Sequence, residues 1–116
     1  LWPDASCNSA ESLTLLHQLE HGNLYIKLSG SYRTPLQHAQ AHLTVSQRLL
    51  ATRPDRMLWA SDWPHTNREP GLHAQEVSRY RDIAPEALAE ERTQWLPTAA
   101  LKQQVLVKNP QQLYRF

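Results

Sequence analysis

The chain has 116 residues, 41% hydrophobic and 20% charged, which is the size and composition of one globular domain and not of a disordered segment. With 12 Lys+Arg against 11 Asp+Glu the net charge is +1, so nothing points to nucleic acid or a membrane surface as partner. The lone Cys7 excludes an intramolecular disulfide and a cysteine-rich zinc site, no apolar run approaches the roughly 20 residues that span a bilayer, and a cytoplasmic, reducing setting is the expectation.

Leu1 to Ser9 reads as a loop rich in turn formers, with Ser9 placed to cap a helix over Ala10–His21. Leu13, Leu16 and Leu19 recur at helical spacing, and Gly22 is expected to end the helix in the left-handed conformation. Asn23–Ser29 alternates as a strand, Leu24, Ile26 and Leu28 on one face and Tyr25, Lys27 and Ser29 on the other. Thr34, Pro35 and Gln37 form a T-x-x-Q capping box with proline at the first helical position. The helix they open runs to Pro54-Asp55.

Arg56–Asp62 is a second, mostly apolar strand, the pattern of a strand covered on both faces in a parallel sheet. A polar loop follows Trp63-Pro64. Ala74–Ile83 is predicted helical, with Val77, Tyr80 and Ile83 on one side, and Pro85–Pro97 favours helix. Thr98 caps a helix through Lys108, and Asn109-Pro110 reads as an N-cap and first-turn proline opening a short terminal turn. Two strands joined through a helix imply a parallel βαβ unit, and two strands alone make a poor sheet. The fold class is therefore α/β, and the segment reads as part of something larger.

The sharpest chemical feature is Leu58-Trp59-Ala60-Ser61-Asp62-Trp63-Pro64-His65. It sets a carboxylate at the C-terminal end of a buried parallel strand, the end that faces ligands in α/β folds. Strand parity with Leu58 and Ala60 would aim Asp62 inward. There it could hold a divalent cation or serve as base to a water, or it could cap the following loop through backbone N–H groups. At the first strand end Lys27, Ser29, Tyr32 and Arg33 converge. Arg33 could clamp a substrate carboxylate or simply be solvated.

His17-Gln18-Leu19-Glu20-His21 matches the inverted zinc-protease pattern H-x-x-E-H, yet it occupies the last turn of a short helix, where protonated histidine complements the dipole without metal. His38 and His42 repeat the spacing and read as surface residues. The four tryptophans read as packing, not as a stacking platform.

Taken together, Lys27-Leu28-Ser29-Gly30 with Tyr32-Arg33, the stretch Arg56 to His65, and Leu106-Val107-Lys108-Asn109-Pro110-Gln111-Gln112-Leu113-Tyr114-Arg115-Phe116 resemble the seventh strand, eighth strand and terminal helix of the amidohydrolase-related family. The 2-pyrone-4,6-dicarboxylate lactonase and sugar-lactone lactonase branch is the nearest, and Trp2-Pro3-Asp4-Ala5 resembles the loop after its sixth strand. Ala60 stands where glycine is common in that family.

The resemblance implies that residues 1–116 are the C-terminal part of a (β/α)8 barrel, whose complete form takes at least roughly 200 residues. It implies a hydrolase of lactone C–O bonds, with Asp62 shuttling the proton of the attacking water and binding a divalent metal such as zinc where one is used; some members are metal-independent. It places Arg33, Ser29 and His65 at the substrate mouth. The substrate would be a lactone or carboxylated ring compound, the partner a second copy or the missing N-terminal barrel portion. The alternative is a non-catalytic truncated remnant or binding module of the same fold.

Overall fold

The computed structural model describes residues 8–33 and 38–116. The readings that rest on Trp2 to Cys7, and the capping box Thr34–Gln37, lie outside the described residues.

Ser9 does cap the first helix, α1 (Ala10–His21): its Oγ accepts from the Ser12 N–H at 3.2 Å. Gly22 corrects the expected ending. It sits at φ −102° and ψ −172°, extended and not left-handed. Glycine is needed there for space, because a Cβ would meet the Gln18 carbonyl oxygen at 2.6 Å. The last carbonyls of α1 are served from elsewhere: Arg53 donates to Glu20 O at 3.1 Å while its fork holds Asp55 at 2.9 and 2.8 Å.

Strand β1 (Ile26–Leu28) and strand β2 (Met57–Trp59) pair in parallel, Ile26 opposite Met57 and Leu28 opposite Trp59. Both are shorter than the alternation suggested, but the βαβ reading holds, with α2 (Ala39–Thr52) as the crossover. The sheet's two faces differ in kind. Ile26, Leu28, Met57 and Trp59 pack against Leu16, Leu19, Val45, Leu49, Trp95 and Val105 of the surrounding helices. Lys27, opposite Leu58 in the register, points to the other face.

Beyond β2 the expected helix over 74–83 is absent: the segment is turns and irregular chain, with Val77 and Tyr80 exposed. Helical spacing alone cannot hold a helix when two of its three apolar side chains have no surface to be buried against. The segment is instead stitched to its own start. Glu69 N–H donates to Ser78 Oγ at 3.0 Å, Arg79 donates to Glu69 from its backbone N–H and Nε, both at 3.1 Å, and Arg81 N–H reaches His65 O at 2.9 Å.

Helix α3 (Pro85–Trp95) follows, its Trp95 buried. Thr98 caps α4 (Ala99–Gln103) by accepting from Leu101 N–H at 3.2 Å. A π-helical turn over Gln104–Lys108 then leads without a break into α5 (Asn109–Tyr114). Asn109 therefore corrects the reading of a fresh N-cap. Its backbone is right-handed helical (φ −65°, ψ −46°) and its N–H bonds back to Gln104 O. Proline cannot donate and its ring crowds the preceding turn, and the wider π turn is the local arrangement that admits Pro110 within the helix.

The Asn109 side chain is fully buried and donates at 2.7 Å to both Pro54 O and Met57 O, with Gln104 on its oxygen. It thus ties the last helix to the base of β2. Replacing Asn109 by alanine strands these carbonyls and is expected to cost about 2 kcal/mol or more, read as a lower urea midpoint.

Candidate active site

Two chain reversals build the site. After β1, Gly30 turns at φ +72°, and a single 3-10 turn over Ser31–Arg33 presents Tyr32 and Arg33. After β2, Asp62 itself is left-handed (φ 62°), as is His65 (φ 49°), with a cis Trp63–Pro64 bond between them. Aspartate tolerates this conformation better than most residues. The strand has ended by Asp62, so parity does not aim the carboxylate; the left-handed turn does. Gly30 lets the two reversals approach, since a Cβ there would lie 3.2 Å from Asp62 Oδ2.

The Asp62 carboxylate accepts three side-chain hydrogen bonds: from Lys27 Nζ to Oδ1 at 3.2 Å, from Tyr32 Oη to Oδ2 at 2.9 Å, and from Arg33 Nε to Oδ2 at 3.1 Å. Arg33 also donates from Nη2 to Thr66 Oγ1 at 3.1 Å. Lys27 reaches Asp62 from the sheet face it shares with Leu58, opposite the face that packs into the main hydrophobic cluster. No backbone N–H bonds the Asp62 side chain among the described residues, so the loop-capping reading does not describe this aspartate.

These donors set its ionisation. Tyr32's hydrogen bond, with those of Arg33 and Lys27, holds the Asp62 carboxyl below the usual carboxylate range, against an opposing effect of burial. Tyr32 is shifted the other way, first by burial, then by its hydrogen bond to Asp62 and by that group's charge, so its phenol stays protonated and able to donate. The Arg33 guanidinium is raised by the same Asp62 bond.

Of the residues expected at the mouth, Arg33 is brought directly onto Asp62. His65 is buried, its Nε2 3.0 Å from Ser61 O and its ring edge-on to Tyr32 at 5.4 Å between centroids. Ser29 follows β1 and is partly buried, but it is not among the hydrogen-bond partners of Asp62. Lys27 and Tyr32 were visible in the sequence as polar groups at a strand end, but nothing there assigned them to Asp62; their shared end of a parallel pair is the signal. Arg81 was missed outright, because its segment reads as helix. Tyr32 also lines a cleft of about 470 Å³ with His42, Leu88, Glu91 and Trp95. His17 and His21 are both exposed, in edge contact with each other at 4.7 Å.

Among the described residues no three His, Cys, Asp or Glu side chains gather to hold a metal ion. Asp62 is itself faced by an ammonium and a guanidinium, and a divalent cation on that carboxylate would sit against both. The described donor set does not fit a divalent metal.

Comparison with known proteins adds a second line of observation. Residues 9–116 match the family model described as amidohydrolase. The chain is 32% identical over 107 residues to D-galactarolactone isomerase of Agrobacterium fabrum, covering 90% of this chain and 34% of that protein. It is 30% identical over 113 residues to 2-pyrone-4,6-dicarboxylate hydrolase of Comamonas testosteroni, covering 89% of this chain and 34% of that protein. An apo crystal structure from Agrobacterium tumefaciens superposes with a TM-score of 0.69 at 29% identity, over 100% of this chain and 39% of its own. The chain thus spans about a third of the length of the curated relatives it matches.

Since the folded pKa of Asp62 lies below the unfolded value of about 3.9, its ionised form stabilises the fold above that pH, and the contribution is lost as pH falls through the lowered pKa. Asp62→Asn is therefore expected to be less stable than the parent at neutral pH. The two urea midpoints should converge on acidification, and a gap that persists unchanged to low pH would contradict this account.

Proposed function

The chain belongs to the amidohydrolase family, and we propose that it supplies the seventh- and eighth-strand portion of a (β/α)8-barrel hydrolase that opens a lactone C–O bond with Asp62 as proton carrier. The observation that carries this reading is one carboxylate, just past the end of a parallel strand, held by two cations and a phenol. The names of the relatives, a lactone isomerase and a hydrolase of a pyrone dicarboxylate, support a carboxylated lactone or related ring compound as substrate.

In this mechanism a water attacks the lactone carbonyl while Asp62 accepts its proton. The C–O ring bond then breaks, and the protonated Asp62 returns the proton to the leaving oxygen, giving a hydroxy acid. Asp62 is ionised at neutral pH, as a base must be, but its three donors weaken it. A substrate carboxylate would compete for Arg33 and relieve part of that constraint, so binding would raise the basicity of Asp62. Lys27, half-exposed and with one bond to Asp62, is the cation placed to stabilise the oxyanion. His65 and Ser29 border the same mouth.

The resemblance implies a divalent ion in some members. The residues described here do not fit one, so each step above rests on side chains and water. The remaining barrel strands would come from an N-terminal portion or another chain, and both edges of the two-stranded sheet are the places where they would pair.

The test is lactone turnover by the protein in which this chain is joined to the remaining strands. Asp62→Asn is expected to lower it by about 100-fold or more, and full activity with asparagine at 62 would refute the proposal. Arg33→Met is expected to raise KM for carboxylated lactones far more than for uncharged ones. The 116-residue chain assayed alone is expected to stay near background.

A further inference from the structure

Two guanidinium groups lie over the Tyr32 ring, Arg33 at 5.3 Å and Arg81 at 5.5 Å from its centroid, and the mechanism does not use the second. Arg81 lies 49 positions beyond Tyr32 and donates from Nη1 to the Tyr32 backbone carbonyl at 2.9 Å. Its guanidinium carbon sits 5.5 Å from the centroid of the Tyr32 ring. Its own backbone N–H holds His65 O at 2.9 Å, and the His65 ring packs edge-on against Tyr32. One residue therefore fixes the carbonyl, a ring face and the edge neighbour of the tyrosine that donates to Asp62.

This placement is costly. Arg81 Nε is buried without a hydrogen-bond partner, and none of the ion pairs among the described residues includes Arg81. A desolvated donor on a cation with no counter-ion is unfavourable, and an arginine in a surface loop ordinarily escapes to water. The guanidinium instead stays where its planar fork can serve the carbonyl and its charge can lie over the aromatic ring, a combination that lysine's point charge does not reproduce.

We propose that Arg81 is a positioning residue: it clamps Tyr32 so that the phenol stays on Asp62, and through the loop stitching at His65 it couples the segment after β2 to that hydrogen bond. The proposal rests on Asp62 being the working carboxylate, but its test reads the hydrogen bond itself and not turnover.

Tyrosine labelled with ¹³C at Cζ gives one signal per ring, and Tyr32→Phe identifies that of Tyr32. Asp62→Asn should displace this signal by replacing the charged acceptor. Arg81→Lys, which keeps the charge and lacks the fork, is expected to displace it in the same sense. Adding Asp62→Asn to Arg81→Lys should then cause little further movement. The His65 ring protons should lose their ring-current shift in parallel. Thr98→Ala, which removes the α4 cap and destabilises away from the site, should leave the signal in place.

If the Tyr32 signal in Arg81→Lys stays at the wild-type position and still responds fully to Asp62→Asn, the proposal is overturned. Arg81→Gln is read by the same criterion, so the outcome does not depend on one variant folding. Loss of turnover in Asp62→Asn with no effect of Arg81 on the signal would sink this inference and leave the hydrolase reading standing; the reverse result would do the opposite.

Discussion

One carboxylate joins the two halves of the βαβ unit at the end where chemistry is expected. Asp62 draws Lys27 from β1, Tyr32 and Arg33 from the turn after it, and it sits on a left-handed turn after β2. Without that shared acceptor, two cations and a phenol would face each other across a short gap. With it, the turns become a single polar surface, and Gly30 is required because the turns come so close. The arrangement favours an acceptor that stays ionised, and each donor contributes to keeping it so.

Much of this was legible in the residues, for identifiable reasons. The Ser9 and Thr98 caps, the two strands and their parallel order follow from local patterns that the surroundings do not overrule. The stretch Ser61 to His65 announced the carboxylate, and Lys27, Tyr32 and Arg33 announced themselves as polar groups at a strand end. What could not be read was the pairing, because a hydrogen bond between residues 30 positions apart leaves no periodic trace in the chain.

The misreadings share one cause, which is that tertiary packing decided each of them. Val77, Tyr80 and Ile83 have helical spacing, but Val77 and Tyr80 have no surface to rest on, so the segment closes on itself through Glu69 and Arg79. Gly22 satisfies the stop signal through steric room, not a left-handed turn. Asn109-Pro110 carries the composition of a helix start. A π turn lets the helix run through it, and the side chain that would have capped a terminus is drawn into the interior.

That buried asparagine has a mechanical consequence. It grips Met57, the first residue of a strand only three residues long, a span of about 10 Å at the usual rise. Asp62 stands just beyond the other end. The C-terminal helix, far from any reacting group, thus fixes the foot of the strand from which the chain sets out, through Ala60 and Ser61, towards the carboxylate.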